Sequence, residues 1–72
     1  MGKDIRLKFA KRLRELRFKR NWTQEELAEY AELSYRHVQR LESSKNPPPL
    51  KIDTIEKFAK AFGITISQLM KF

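Results

Sequence analysis

The sequence predicts an all-α fold, a compact bundle of five short helices. Three observations carry this. Only two glycines occur, both outside the interiors of apolar-periodic segments, while 35% of the residues are charged. No stretch has the period-two alternation of a half-buried strand. Four residues, Thr23, Ser34, Asp53 and Thr65, are of the kinds that open helices, and three of them have Glu or Gln at the third position after them.

Helix one is expected over residues 5–20, with Phe9, Leu13 and Leu16 at i, i+4 and i+7 as its buried stripe. Asn21 is its expected left-handed terminator, since Asn tolerates positive φ better than most residues. Thr23 and Glu26 have the spacing of a capping box, with helix two following over residues 24–30 and burying Leu27, Ala28 and Ala31. Ser34 is the next N-cap, so a tight turn separates helix two from helix three. The latter runs to about residue 42, with Val38 and Leu41 inward. Pro47, Pro48 and Pro49 cannot sit inside a helix and mark the one long loop. Asp53 and Glu56 have the spacing of another capping box. They are expected to open helix four, with Ile55, Phe58, Ala59 and Phe62 on one side and Gly63 at its end. Thr65 and Gln68 repeat the box for helix five, followed by Leu69 and Met70. With no repeat and no linker, residues 1–72 read as a single domain.

A chain of 72 residues is near the lower size limit for a single unstapled core. It has no cysteine, so neither a disulfide nor a thiolate metal site can stabilise it, and a reducing compartment is its natural setting. No apolar run approaches a membrane span and no signal-peptide core follows the N-terminus, so a soluble, cytoplasmic protein is expected. One histidine, no cysteine and no glycine-rich phosphate loop leave no nucleophile–base pair or nucleotide cradle. No cofactor and no enzymatic activity are expected.

Net charge is +7, and it is concentrated. Residues 1–20 hold nine bases and two acids, whereas residues 21–72 hold seven of each. A basic N-terminal helix suits a polyanionic partner, by steering and by phosphate contact. It would equally serve as a solvated face that keeps the protein soluble.

Helices two and three, joined by a tight turn, have the spacing of a helix-turn-helix over about residues 23–42. The stretch LRELRFKRNWTQEELAEYAELSYRHVQRLE resembles the Cro and phage-repressor (XRE) type of this motif, including the lambda-repressor-like bundle. The matching positions are Leu16-Arg17, Thr23-Gln24, Leu27-Ala28, Ser34, Val38 and Leu41-Glu42. The likeness continues through the proline loop and IEKFAKAFGITISQL, covering about residues 9–69. Two positions depart from the pattern. Glu32 stands where the family's turn carries Gly at positive φ, a cost on the order of 1 kcal/mol if that conformation is kept. Ser44 replaces a common Gly in the loop after helix three.

The resemblance implies a double-stranded DNA binder that inserts helix three in the major groove, where each base pair presents its own pattern of donors and acceptors. It puts Tyr35 and Arg36 nearest the bases, with Gln39 and Arg40 one turn later. Arg36 and Arg40 carry the forked donors that match guanine, Gln39 could serve adenine, and Tyr35 could meet a thymine methyl or a phosphate. An ordinary solvated helix face is the alternative for all four. The resemblance makes Gln24 a phosphate contact at the first turn of helix two. It extends phosphate contact to Ser34, His37, Ser44, Lys45 and Asn46, with a surface role as the alternative for His37 and no second histidine or cysteine to share a metal. Arg17 and Glu42 are the implied structural ion pair, fixing helix three on helix one. Glu25, Glu29 and Glu32 must then face away from DNA, paired with helix-one bases or solvated.

Phe18, Trp22 and Tyr30 could stack on bases of a single strand. Their closeness to the junction favours a core role, seating helix one on helix two. Ile66, Met70 and Phe72 are candidates for an apolar homodimer patch, or close the chain's own core. The function expected is a transcriptional regulator, a repressor occupying a palindromic operator as a homodimer and so associated with the nucleoid. The alternatives are an antitoxin-like module with a toxin or other protein partner, and a nonspecific nucleic-acid coat.

Overall fold

Five helices follow in the expected order: α1 Gly2–Lys19, α2 Gln24–Ala31, α3 Tyr35–Glu42, α4 Ile52–Phe62 and α5 Ile66–Leu69. They are seen in a computed structural model that describes residues 2–43, 45 and 47–72, and no strand occurs among those residues. One core joins all five. Phe9 and Leu13 from α1 meet Leu27, Ala28 and Ala31 from α2, Val38 and Leu41 from α3, Phe58, Ala59 and Phe62 from α4, and Leu69 from α5. Phe9 and Phe58 form a tilted aromatic contact at 6.0 Å between centroids. Leu16 and Ile55, expected inward, lie partly buried at the core's edge.

Local sequence sets most of the helix ends. Thr23 Oγ1 accepts from the Glu26 amide at 3.1 Å while the Thr23 amide donates to Glu26 Oε1 at 2.8 Å. Thr65 and Gln68 reproduce this box at 3.0 Å in both directions. Ser34 Oγ accepts from the His37 amide at 3.1 Å, which starts α3 immediately after the turn.

The C-terminal ends of α1, α2 and α4 share one device. Asn21, Glu32 and Gly63 have φ of 57°, 56° and 68°. The amide of the following residue reaches back five positions in each case: Trp22 to Arg17 O, Leu33 to Ala28 O and Ile64 to Ala59 O. Trp22, Leu33 and Ile64 then pack against the core. This is the Schellman arrangement with its hydrophobic contact. Glycine makes it without strain at 63, Asn tolerates it at 21, and Glu32 adopts it against the steric preference of its Cβ.

Three expectations need correction. Helix four does not open at an Asp53–Glu56 box: it begins at Ile52, with Lys51 in the N-cap position and no side-chain cap. Asp53 instead lies within the first turn, where a carboxylate is favoured by the helix dipole. Helix one begins at Gly2 rather than at residue 5, because nothing from Gly2 to Asp4 breaks the helix. Phe18 does not seat helix one on helix two. It is 62% exposed, beneath the Arg17 guanidinium at 4.7 Å. Trp22 does the packing, stacked between Tyr30 at 4.5 Å and Phe62 at 5.5 Å, and Tyr30 itself remains more than half exposed.

Candidate nucleic-acid interface

The face of α3 is decided by its two inward residues. Val38 and Leu41 are fully buried, and with period 3.6 this turns Arg36 and Arg40, one turn apart, to the opposite side. Arg36, Gln39 and Arg40 are all exposed. Tyr35 is exposed as well but leans to one flank, where it lines a surface groove with Thr23, Glu25, Glu26, Glu29 and Leu33 of the α2 side. His37 lies half-buried. The structure thus brings Arg36, Gln39 and Arg40 onto one accessible face, with Tyr35 at its border.

The other end of α3 is tied down by Glu42. This residue is only 3% exposed, and Arg17 only 9%. Arg17 Nε donates to Glu42 Oε2 at 2.8 Å and Arg17 Nη2 to Glu42 Oε1 at 2.9 Å, a bidentate fork. Arg17 Nη1 also donates to Trp22 O at 2.9 Å. Gln24 Nε2 donates to Glu42 Oε1 at 3.1 Å. Arg14 Nη1 donates to the Glu42 carbonyl oxygen, satisfying one of the orphan acceptors at the end of α3. Among the described residues, no buried side-chain polar atom lacks a hydrogen-bond partner.

Gln24, half-buried at the first residue of α2, is therefore held beside the last residue of α3. Ser34 is exposed with its hydroxyl engaged in the cap. Lys45 is exposed, and its amide donates to Ser43 Oγ at 3.0 Å. Ser44 and Asn46 lie outside the described residues. Glu25, Glu29 and Glu32 are exposed. Ile66 and Phe72 are 43% and 50% exposed, while Met70 lies half-buried against the core.

The basic charge of α1, with Arg20 just after it, divides by residue type. Arg6 donates to Pro47 O at 2.8 Å. Arg12 donates to Gln68 O at 2.8 Å and to Leu69 O at 3.2 Å. Arg20 donates to Phe62 O. With Arg14 and Arg17, these five arginines bind the C-terminal ends of α3, α4 and α5 and the proline loop. Lys8, Lys11 and Lys19 stay exposed. Apart from Arg17, implied to be the partner of Glu42, the sequence reads this set as one basic surface. The choice of arginine over lysine was the available signal, because a planar fork with several donors suits fixed acceptors and an ammonium suits water.

The helix-turn-helix family matches residues 11–69 of this sequence. The chain belongs to the helix-turn-helix family. The crystal structure of a hypothetical transcription factor, NHTF, from Neisseria is similar to it, with a TM-score of 0.83 and 31% identity over 97% of this chain and 76% of that one. No curated protein sequence matches the chain. Within this helix-turn-helix protein, α2 and α3 are the two helices of the motif, and the turn between them contains the strained Glu32. Among the described residues, no helix is long and apolar enough to cross a membrane.

Proposed function

We propose that this helix-turn-helix protein is a sequence-specific double-stranded DNA-binding transcriptional regulator. It acts in the cytoplasm on the nucleoid, as a homodimer that represses by occupying a palindromic operator. The observation that carries the reading is the Arg36–Gln39–Arg40 face, exposed on a helix whose far end is fixed by a buried ion pair. Arginine forks match guanine O6 and N7, and glutamine matches adenine N6 and N7, but only when the helix bearing them is held in register. Gln24, Ser34, His37 and Lys45 supply the phosphate contacts that set this register. Family membership and the likeness to a hypothetical transcription factor support the same reading.

The homodimer follows from the small footprint of one recognition helix and from the exposed Ile66 and Phe72 beside Met70. Light scattering at high concentration tests it together with a duplex selected from a random pool. A dimer mass that Met70→Glu halves, and a palindromic selected site with half-sites about one helical turn apart, are expected. A monomer mass at every concentration, or a selected site without symmetry, would reduce the reading to a monomeric binder.

A further inference from the structure

The buried carboxylate of Glu42 does more than neutralise Arg17. A carboxylate offers only acceptors, so the amide that faces it must present its NH2 and not its oxygen. Gln24 does this, with Nε2 at 3.1 Å from Glu42 Oε1. The same oxygen takes Arg17 Nη2 at 2.9 Å, and the other takes Arg17 Nε at 2.8 Å, so the carboxylate cannot rotate to follow a moving amide. One Nε2 hydrogen of Gln24 is thereby spent inside the protein, and the second is left on a group whose flip is fixed. Without the carboxylate, the half-exposed amide would be free to turn either its oxygen or its nitrogen outward, and an outward oxygen repels a phosphate.

We propose that Glu42 is a positioning residue for Gln24, fixing the side-chain amide so that its remaining Nε2 hydrogen is offered to a DNA phosphate. The inference rests on the reading of Gln24 as a phosphate contact. Glu42 then links two parts of the interface, since the carboxylate that seats the end of the recognition helix also orients a backbone contact made from α2. An apolar replacement of the buried pair, Arg17→Met with Glu42→Leu, removes the orienting carboxylate without leaving an unpaired charge, so the bundle is kept.

Ethylation interference on a selected duplex resolves individual phosphates. Wild type, Gln24→Ala, the Arg17→Met/Glu42→Leu pair and the triple variant are compared. In Gln24→Ala, one phosphate per half-site should drop out of the interference pattern. Affinity for selected and random duplex should fall together by about three- to tenfold. In the paired variant the same phosphate should drop out while contacts elsewhere persist, and the triple variant should lose nothing more at that phosphate. Retention of that phosphate by the paired variant, or uniform weakening of every position, overturns the inference. An unchanged pattern in Gln24→Ala overturns the phosphate reading of Gln24 itself, and the inference with it. Should the paired variant not fold, 15N relaxation of the Gln24 side-chain NH2 in the free wild-type protein decides. Restricted motion is expected, and a freely reorienting amide overturns the proposal.

Discussion

Arg17 and Glu42, 25 positions apart, close a two-bond fork between α1 and the last residue of α3 that is almost wholly removed from water. The pair joins α1 to α3, and the side chain of Gln24 and the Arg14 guanidinium converge on the same residue. Its contribution is best seen by removing one member. Glu42→Ala leaves the Arg17 guanidinium buried without its counter-charge, at a cost of about 3–5 kcal/mol. In a domain whose total stability is of order 5–15 kcal/mol, that brings the fold close to failure. Urea denaturation followed by circular dichroism should register the loss, and the apolar pair Arg17→Met/Glu42→Leu should recover most of it. An unchanged midpoint for Glu42→Ala would contradict the role given to this pair.

The turn of the motif stores strain at Glu32, whose φ of 56° is a glycine conformation. Glu32→Gly should raise stability by about 1 kcal/mol, because the exposed side chain contributes no packing to offset the conformational cost. Gly63→Ala is the mirror experiment. A Cβ there meets nothing within 4 Å, so the expected loss of about 1 kcal/mol comes from the backbone alone. Denaturation midpoints moving in opposite directions would agree with this account; a loss of stability in Glu32→Gly would not.

The arginines of α1 differ from its lysines in what they do for the fold. Arg12 binds the carbonyls of Gln68 and Leu69, whereas neighbouring Lys11 is solvated. Arg12→Ala should cost about 1–2 kcal/mol through the orphaned end of α5. Lys11→Ala should stay within about 0.5 kcal/mol of wild type. Equal effects in the two variants would return α1 to the status of an undifferentiated basic face.

What the sequence made legible was local. Thr23 with Glu26, Ser34, and Thr65 with Gln68 name their helix starts because a cap and its partner are three residues apart. Asn21 and Gly63 name two helix ends because few residues accept positive φ. The Asp53–Glu56 spacing misled for the same reason: two acids three apart fit a capping box and equally fit a helix that begins two residues earlier, at Ile52. Phe18 misled because nearness to a junction does not say which aromatic turns inward, and the Schellman turn at Asn21 gives that place to Trp22. The contacts of Arg6, Arg12, Arg14 and Arg20 join positions 28 to 57 apart, so no local pattern encodes them. Arg17 and Glu42 were found across the same kind of distance only because the resemblance to a known motif supplied the pairing. Arg36, Gln39 and Arg40 were singled out by the same resemblance, and their exposure follows from the burial of Val38 and Leu41 on the other side of the helix.

Whether α3 reads base edges is decided by a ratio of affinities. Binding of wild type and of Arg36→Ala/Arg40→Ala would be measured on a selected duplex and on random duplex, both near physiological salt. Each arginine that forks onto a guanine is worth about 1–3 kcal/mol of discrimination, and both are exposed, so stability should not change. Wild type should prefer the selected site by about a thousandfold or more. The double variant should lose most of that preference while still binding random duplex. A wild-type ratio near one, or a ratio that survives loss of both arginines, would contradict base reading by α3.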